Sequence, residues 1–175
     1  MTRASTLLLS DPMALPAAVL ATRADALLEA ASMELTPRRV LVLGAADVAA
    51  VARAFPTAEL HLGSLAHPRL WPDAIDLLVV HFELSLTRVD LAQAVAELWS
   101  TLAEGGCLAV LDVGRVPDEP LCEQLASQLG RDLGRPLLKT LRRNLDLLHV
   151  QERQHFGGLY STLSVVGRKG LAELP

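Results

Sequence analysis

Aromatic residues are scarce in this sequence: three Phe, two Trp and one Tyr make up 3% of its 175 residues. A core of stacked rings is excluded, so Leu, Val and Ala must fill the interior. There are only two cysteines, Cys107 and Cys122, which form neither a disulfide framework nor a metal-ligand spacing. Cys107 opens an apolar run and reads as a small core residue. No apolar stretch approaches the roughly 20 residues that span a bilayer. Leu7-Leu8-Leu9 is too short for a signal sequence and is halted by Asp11 and Pro12. The net charge is −4, which gives no electrostatic ground for binding nucleic acid. The one basic cluster, Lys139, Arg142 and Arg143, reads as a solvated helix face. The expected setting is a reducing cytoplasm, with neither nucleic acid nor membrane as partner.

What is present is aliphatic. Hydrophobic residues make up 51% of the chain, enough for one domain over 1–175 with a loose lead-in over 1–15. A helix is expected from about Pro16, with Leu20, Ala24, Leu27, Leu28 and Ala31 as its stripe. The run from Arg38 to Gly44 reads as a strand ending in glycine, and Ala46 to Phe55 as the following helix, stopped by Pro56. Leu60-His61-Leu62 is a short strand. Residues 63–74 hold Gly63, Pro68 and Pro72 and read as a loop with one helical turn. Ile75 to Val80 is the most hydrophobic strand. Thr87 to Leu102 is expected as a long amphipathic helix, with Gly105-Gly106 as a turn just past its end. Leu108 to Leu111 is a strand, and Glu119 to Leu129 and Leu137 to Arg143 are helices. Two strand-like runs, Leu147–Phe156 and Leu159–Val166, meet at the hairpin signal Gly157-Gly158. Alternating strands and helices imply an α/β fold, Rossmann-like and doubly wound, whose mostly parallel sheet ends in an antiparallel hairpin.

This order resembles the class I S-adenosylmethionine-dependent methyltransferases over about residues 15–169. Arg38-Arg39-Val40-Leu41-Val42-Leu43-Gly44 looks like the family's first strand. Ile75-Asp76-Leu77-Leu78-Val79-Val80 resembles its fourth. Leu102-Ala103-Glu104-Gly105-Gly106-Cys107-Leu108 resembles the entry to its fifth, and Gly157-Gly158-Leu159-Tyr160 through Lys169 its antiparallel last strand. The lead-in helix followed by Pro37-Arg38-Arg39-Val40-Leu41 is most similar to the type 11-like members that methylate small molecules or carrier-bound acids.

The resemblance implies a nucleoside-binding turn of the form Asp/Glu-x-Gly-x-Gly-x-Gly, where glycine lets the backbone approach the cofactor. Here Gly44, Ala45, Ala46 and Asp47 occupy it. Only Gly44 is retained, Ala46 and Val48 stand where glycines are expected, and Val42 stands where the acid is expected. The acid that would grip the ribose is replaced by Ser64, a loss on the order of 1–3 kcal/mol in hydrogen bonding. Between Ser64 and Asp76 the family fits a helix and a strand. This chain is one β-α unit shorter, which bares a different strand at the sheet edge.

Each candidate site residue also has a plainer reading. Asp47 reads first as a helix cap. His81 and Glu83 follow the fourth-type strand and are the candidates for proton transfer, but read more simply as a polar loop edge. Asp112 is expected at the cleft or as the cap of a turn, and Asp76 is expected to be structural. His61, His67, His81 and Asp73 match no metal-ligand pattern, so no metal is expected. Trp99 is expected in the core or an interface, and Trp71 as a plug for the space left by the missing unit. Two functions remain. The favoured one is a non-catalytic binding module, or pseudoenzyme, with an impaired S-adenosylmethionine site. It needs no cofactor and binds a protein partner, a further copy of itself or a small-molecule ligand. The alternative is an active methyltransferase that uses S-adenosylmethionine on a small molecule, since methyl transfer asks for orientation more than for a nucleophile.

Overall fold

The computed structural model describes residues 14–170 apart from 45 and 87. The leucine run of the lead-in and Ala45 therefore lie outside the described residues. The chain runs α1 (Ala14–Leu20), α2 (Asp25–Glu34), β1 (Arg39–Gly44), α3 (Val48–Ala54), β2 (Glu59–Gly63), a 3-10 turn at Pro68–Leu70 and β3 (Ile75–His81). It continues through α4 (Leu91–Thr101), β4 (Leu102–Val113), α5 (Glu119–Leu129), α6 (Leu137–Asn144), β5 (Asp146–His155) and β6 (Tyr160–Arg168). The six strands form one sheet in the order β2-β1-β3-β4-β6-β5. β2, β1, β3 and β4 are parallel, and β6 and β5 are antiparallel to their neighbours.

Central parallel strands are covered on both faces, so they read as unbroken aliphatic runs. Side chains alternate across the sheet. Val40 and Val42 of β1, with Leu77 and Val79 of β3, join α2, α3 and α5 in one core. Leu41, Leu43, Leu78 and Val80 join α4 and α6 in the other. Each fully buried aliphatic side chain contributes roughly 1.5–3 kcal/mol.

Three expected boundaries move. The lead-in helix is broken in two, and Thr22 lies in the break, where its carbonyl accepts a bond from His81. The helix expected from Thr87 starts at Leu91. Asp90 caps it by accepting from the Gln93 amide at 2.9 Å, and Arg135 Nη1 donates to the Val89 carbonyl at 2.5 Å, which keeps the preceding residues in the loop. Gly105-Gly106 lies within β4 instead of forming a turn before it. Gly105 takes φ +73°, and the register slips there, so that Ile75 pairs with Leu102 but Leu77 with Cys107. The mostly parallel sheet and the terminal antiparallel hairpin are those expected.

Candidate functional site

In a sheet of this kind, ligands bind beyond the carboxyl ends of the parallel strands. Here those ends bring together Gly44 of β1, His81 of β3 and Asp112 of β4. Gly44 has φ +87°, and a β-carbon added there would lie 2.2 Å from the His81 carbonyl oxygen and 2.8 Å from Glu83 Cγ. The close approach that glycine permits is thus made by β3 and the residues after it. Ala46 is buried in the α3-side core, while Val48 is partly exposed. Asp47 caps α3: its Oδ1 accepts from the amides of Ala49 at 3.0 Å and Ala50 at 3.2 Å. Ser64 serves its own turn. Its hydroxyl accepts from the Ala66 amide at 3.2 Å, and its carbonyl accepts from the His67 amide and the Trp71 indole, each at 3.1 Å.

The two candidates for proton transfer are not brought to a common acceptor. His81 is 4% exposed, and its Nε2 lies 3.0 Å from the Thr22 carbonyl, which makes Nε2 the donor. Its Nδ1 is then a buried nitrogen without a partner. Burial holds the ring below its ordinary pKa, against the upward pull of the Thr22 bond and Asp112. Glu83 instead lines a cavity of about 320 Å³ with Leu65, Ala66, Arg88 and Gln93. Its Oε2 is buried without a hydrogen bond, and desolvation pushes its carboxyl up, opposed by Arg88 and Arg131.

Asp112 does not face a cleft. It is fully buried, and its Oδ2 accepts from the amides of Leu84 at 3.0 Å and Ser85 at 3.1 Å. Its Oδ1 accepts from the Ser85 hydroxyl at 2.5 Å and the Val113 amide at 2.8 Å, and lies 3.8 Å from Arg131 Nη1. Burial pushes this carboxyl up, against the pull of those donors and of Arg131. Arg131 also donates to the Phe82 carbonyl and, at 2.6 Å, to the Ser85 hydroxyl. Desolvation lowers the guanidinium, and Asp112 and Glu83 raise it. Arg135 adds a bond to the Leu84 carbonyl at 3.1 Å. The loop after β3 is therefore tied at several points to the end of β4 and to the segment after α5. Ser85, Arg131 and Arg135 carried no sequence signal for this, because no spacing relates them.

The remaining candidates fall as follows. Asp76 is structural, with Oδ2 accepting from the amides of Arg38 and Arg39 at 2.8 and 2.9 Å. Trp71 packs against the α4-side core, over the space beside Gly63. Trp99 is 40% exposed rather than core, with Lys169 Nζ 4.1 Å from its ring centre. Lys139, Arg142 and Arg143 are exposed. Among the described residues, no cluster of three or more His, Cys, Asp or Glu is placed to hold a metal, and no helix is long and apolar enough to cross a membrane.

Solved structures share this architecture. N-methyltransferase NodS from Bradyrhizobium japonicum WM9 is 17% identical, with a TM-score of 0.63 over 83% of this chain and 93% of NodS. An O-methyltransferase family protein from Burkholderia thailandensis is 17% identical, with a TM-score of 0.59 over 93% of this chain and 60% of its own. The chain has the class I methyltransferase fold. Within that fold other chemistry also occurs: the [4+2]-cyclase SpnF is 16% identical, with a TM-score of 0.56 over 85% of this chain and 82% of its own. NodS has also been solved in complex with S-adenosyl-L-homocysteine, and that structure matches with a TM-score of 0.61 at 15% identity, over 88% of this chain and 96% of its own. No protein-family model and no curated protein matches the chain. At these identities the likeness extends to the fold and to nothing finer. Gly44, Asp47 and Ser64, which stand where the resemblance places nucleoside contacts, are each engaged within the protein.

Proposed function

We propose that the chain is a methyltransferase-fold binding module that works through a partner and does not transfer methyl groups. The observation that carries this reading is the turn after β1. Its one retained glycine is packed by His81 and Glu83, and its acid closes the first turn of α3. A carboxylate at the mouth of that helix also repels the carboxylate end of the expected cofactor. Ser64 offers one hydroxyl, already held by Ala66, where two charge-assisted bonds to a ribose would be needed. SpnF, a cyclase by name, is an instance of this fold named for something other than methyl transfer.

The alternative, an active methyltransferase acting on a small molecule, has one specific observation in its favour. The cavity beside Glu83 presents a buried, unpartnered carboxylate oxygen next to Leu65 and Val89, and such an oxygen can accept from a hydroxyl or amino group of a ligand. Calorimetry divides the readings. Titration with S-adenosylmethionine and with S-adenosyl-L-homocysteine is expected to give no heat and no thermal shift at millimolar ligand. Micromolar binding, abolished by Glu83→Gln, would overturn the impaired-site reading and favour the enzyme.

A further inference from the structure

The sheet has two edges, and they are built differently. β5 is ten residues long and guarded. It carries a register slip between Leu147 and His149, and exposed Glu152, Arg153 and Gln154 follow. Irregularity and charge of this sort are the usual means of discouraging edge-to-edge pairing. β2, Glu59–Gly63, has neither a bulge, a proline nor a lysine. Leu62 within it is 67% exposed, and Leu70 in the turn that follows is 82% exposed.

The polarity of the open ladder follows from the bonds on its other side. The Glu59 amide donates to the Arg38 carbonyl at 2.7 Å, and Glu59 is in register with Arg39. In a parallel pair, alternate residues turn both backbone groups toward the same neighbour. Glu59, His61 and Gly63 therefore face β1, and the N–H and C=O of Leu60 and Leu62 point outward. Leu60 and Leu62 also share the α3-side face, where Leu60 already packs against the core.

We infer that β2 is a self-docking edge: two copies of the chain pair their β2 strands antiparallel about a two-fold axis through His61, joining their sheets into one. In this register Leu60 of one copy faces Leu62 of the other, and both members of the pair present outward N–H and C=O groups. They exchange two hydrogen bonds, and symmetry repeats the exchange on the far side of the axis. Each exposed Leu62 gains a cross-strand apolar neighbour. Glu59 falls opposite Gly63, so the two acidic side chains are kept apart. Centring on Leu60 would set Leu62 against Ala58, outside the strand. Centring on Leu62 would set Leu60 against Ser64, whose carbonyl already accepts from His67 and Trp71. The strand is thus complementary to itself in one register, which favours a second copy over an unrelated strand. Pairing at this edge does not depend on whether the cofactor binds, so the calorimetric result above decides nothing about it.

The test is sedimentation velocity on the full chain at roughly 1–100 µM, the range suited to an interface at the small end of the size classes. A concentration-dependent shift toward twice the 18.8 kDa chain mass is expected. Leu62→Lys, at an exposed position, should restore the monomer with unchanged circular dichroism. His61→Cys, in a Cys122→Ser background, should form a reducible covalent dimer on mild oxidation, because the central non-hydrogen-bonded pair places its α-carbons about 4.5 Å apart. The remaining thiol, Cys107, is buried. A wild-type chain that stays monomeric throughout, a dimer that survives Leu62→Lys, or a His61→Cys variant that does not cross-link would each overturn the inference.

Discussion

Replacing Asp112 by asparagine is nearly isosteric, yet the structure makes it a severe change. Four donors converge on its two oxygens: the Leu84 and Ser85 amides on one, the Ser85 hydroxyl and Val113 amide on the other. An amide group has one oxygen and one NH2. In either orientation the NH2 confronts a pair of these donors, and at least one backbone N–H loses its acceptor in a fully buried place. Arg131, 6% exposed, meanwhile loses its negative neighbour. Breaking one member of a buried pair costs about 3–5 kcal/mol, and each unsatisfied buried group adds about 1–3. Against a total stability of about 5–15 kcal/mol, a loss of at least about 4 kcal/mol is expected for Asp112→Asn. With m near 1–3 kcal/mol/M, the urea midpoint should fall by more than about 1 M. Hydrogen exchange should show the Leu84 and Ser85 amides losing protection first, and Asp112→Asn with Arg131→Met should cost less than the two single changes added. A midpoint shift below about 0.3 M with both amides still protected would refute the role assigned to this carboxylate.

Two further outcomes follow from the same site. Gly44→Ala adds a β-carbon at φ +87° within 2.2 Å of a carbonyl oxygen; a cost of about 2–5 kcal/mol in urea denaturation is expected, and a neutral effect would show that the β1–β3 contact is looser than described. His81 is held below its ordinary value of 6.5 in the fold, so beneath that pH the unfolded chain takes up the proton first, and stability falls as the pH falls through this window. His81→Gln should flatten this part of the pH profile relative to wild type, while Glu83, raised in the fold, contributes with the opposite sign in both proteins; equal slopes would place the titration elsewhere.

The sheet was legible because its central strands are buried on both faces. Val40 to Leu43 and Ile75 to Val80 can only be continuous apolar runs. α5 matched its expected span because Asp118 caps it, accepting from the Leu121 amide at 2.8 Å, and Gly130 ends it in the left-handed region. The break between α1 and α2 left no mark, since Val19, Leu27 and Leu28 face the same core on its two sides, although Leu20, the expected start of the stripe, is 39% exposed. The site was legible only where its bonds are local. Asp47 and Ser64 close turns within three residues of themselves. His81 depends on Thr22, and Arg131 on Phe82 and Ser85, over separations of 59, 49 and 46 residues that no periodicity records.

The shortened connection after β2 links the two readings of this molecule. The chain must travel from Gly63 to Ile75, the first residue of β3, through residues 64–74 alone. To turn so soon after β2 it uses the Ser64 hydroxyl and carbonyl as acceptors, and it lays Trp71 against the backbone at Gly63. Ser64, which stands where the resemblance places an acid, is thereby engaged in folding the loop. The same economy of chain leaves no strand outside β2, so the ladder that an extra β-α unit would cover stays open. The engagement of Ser64 and the open edge thus depend on one stretch of chain.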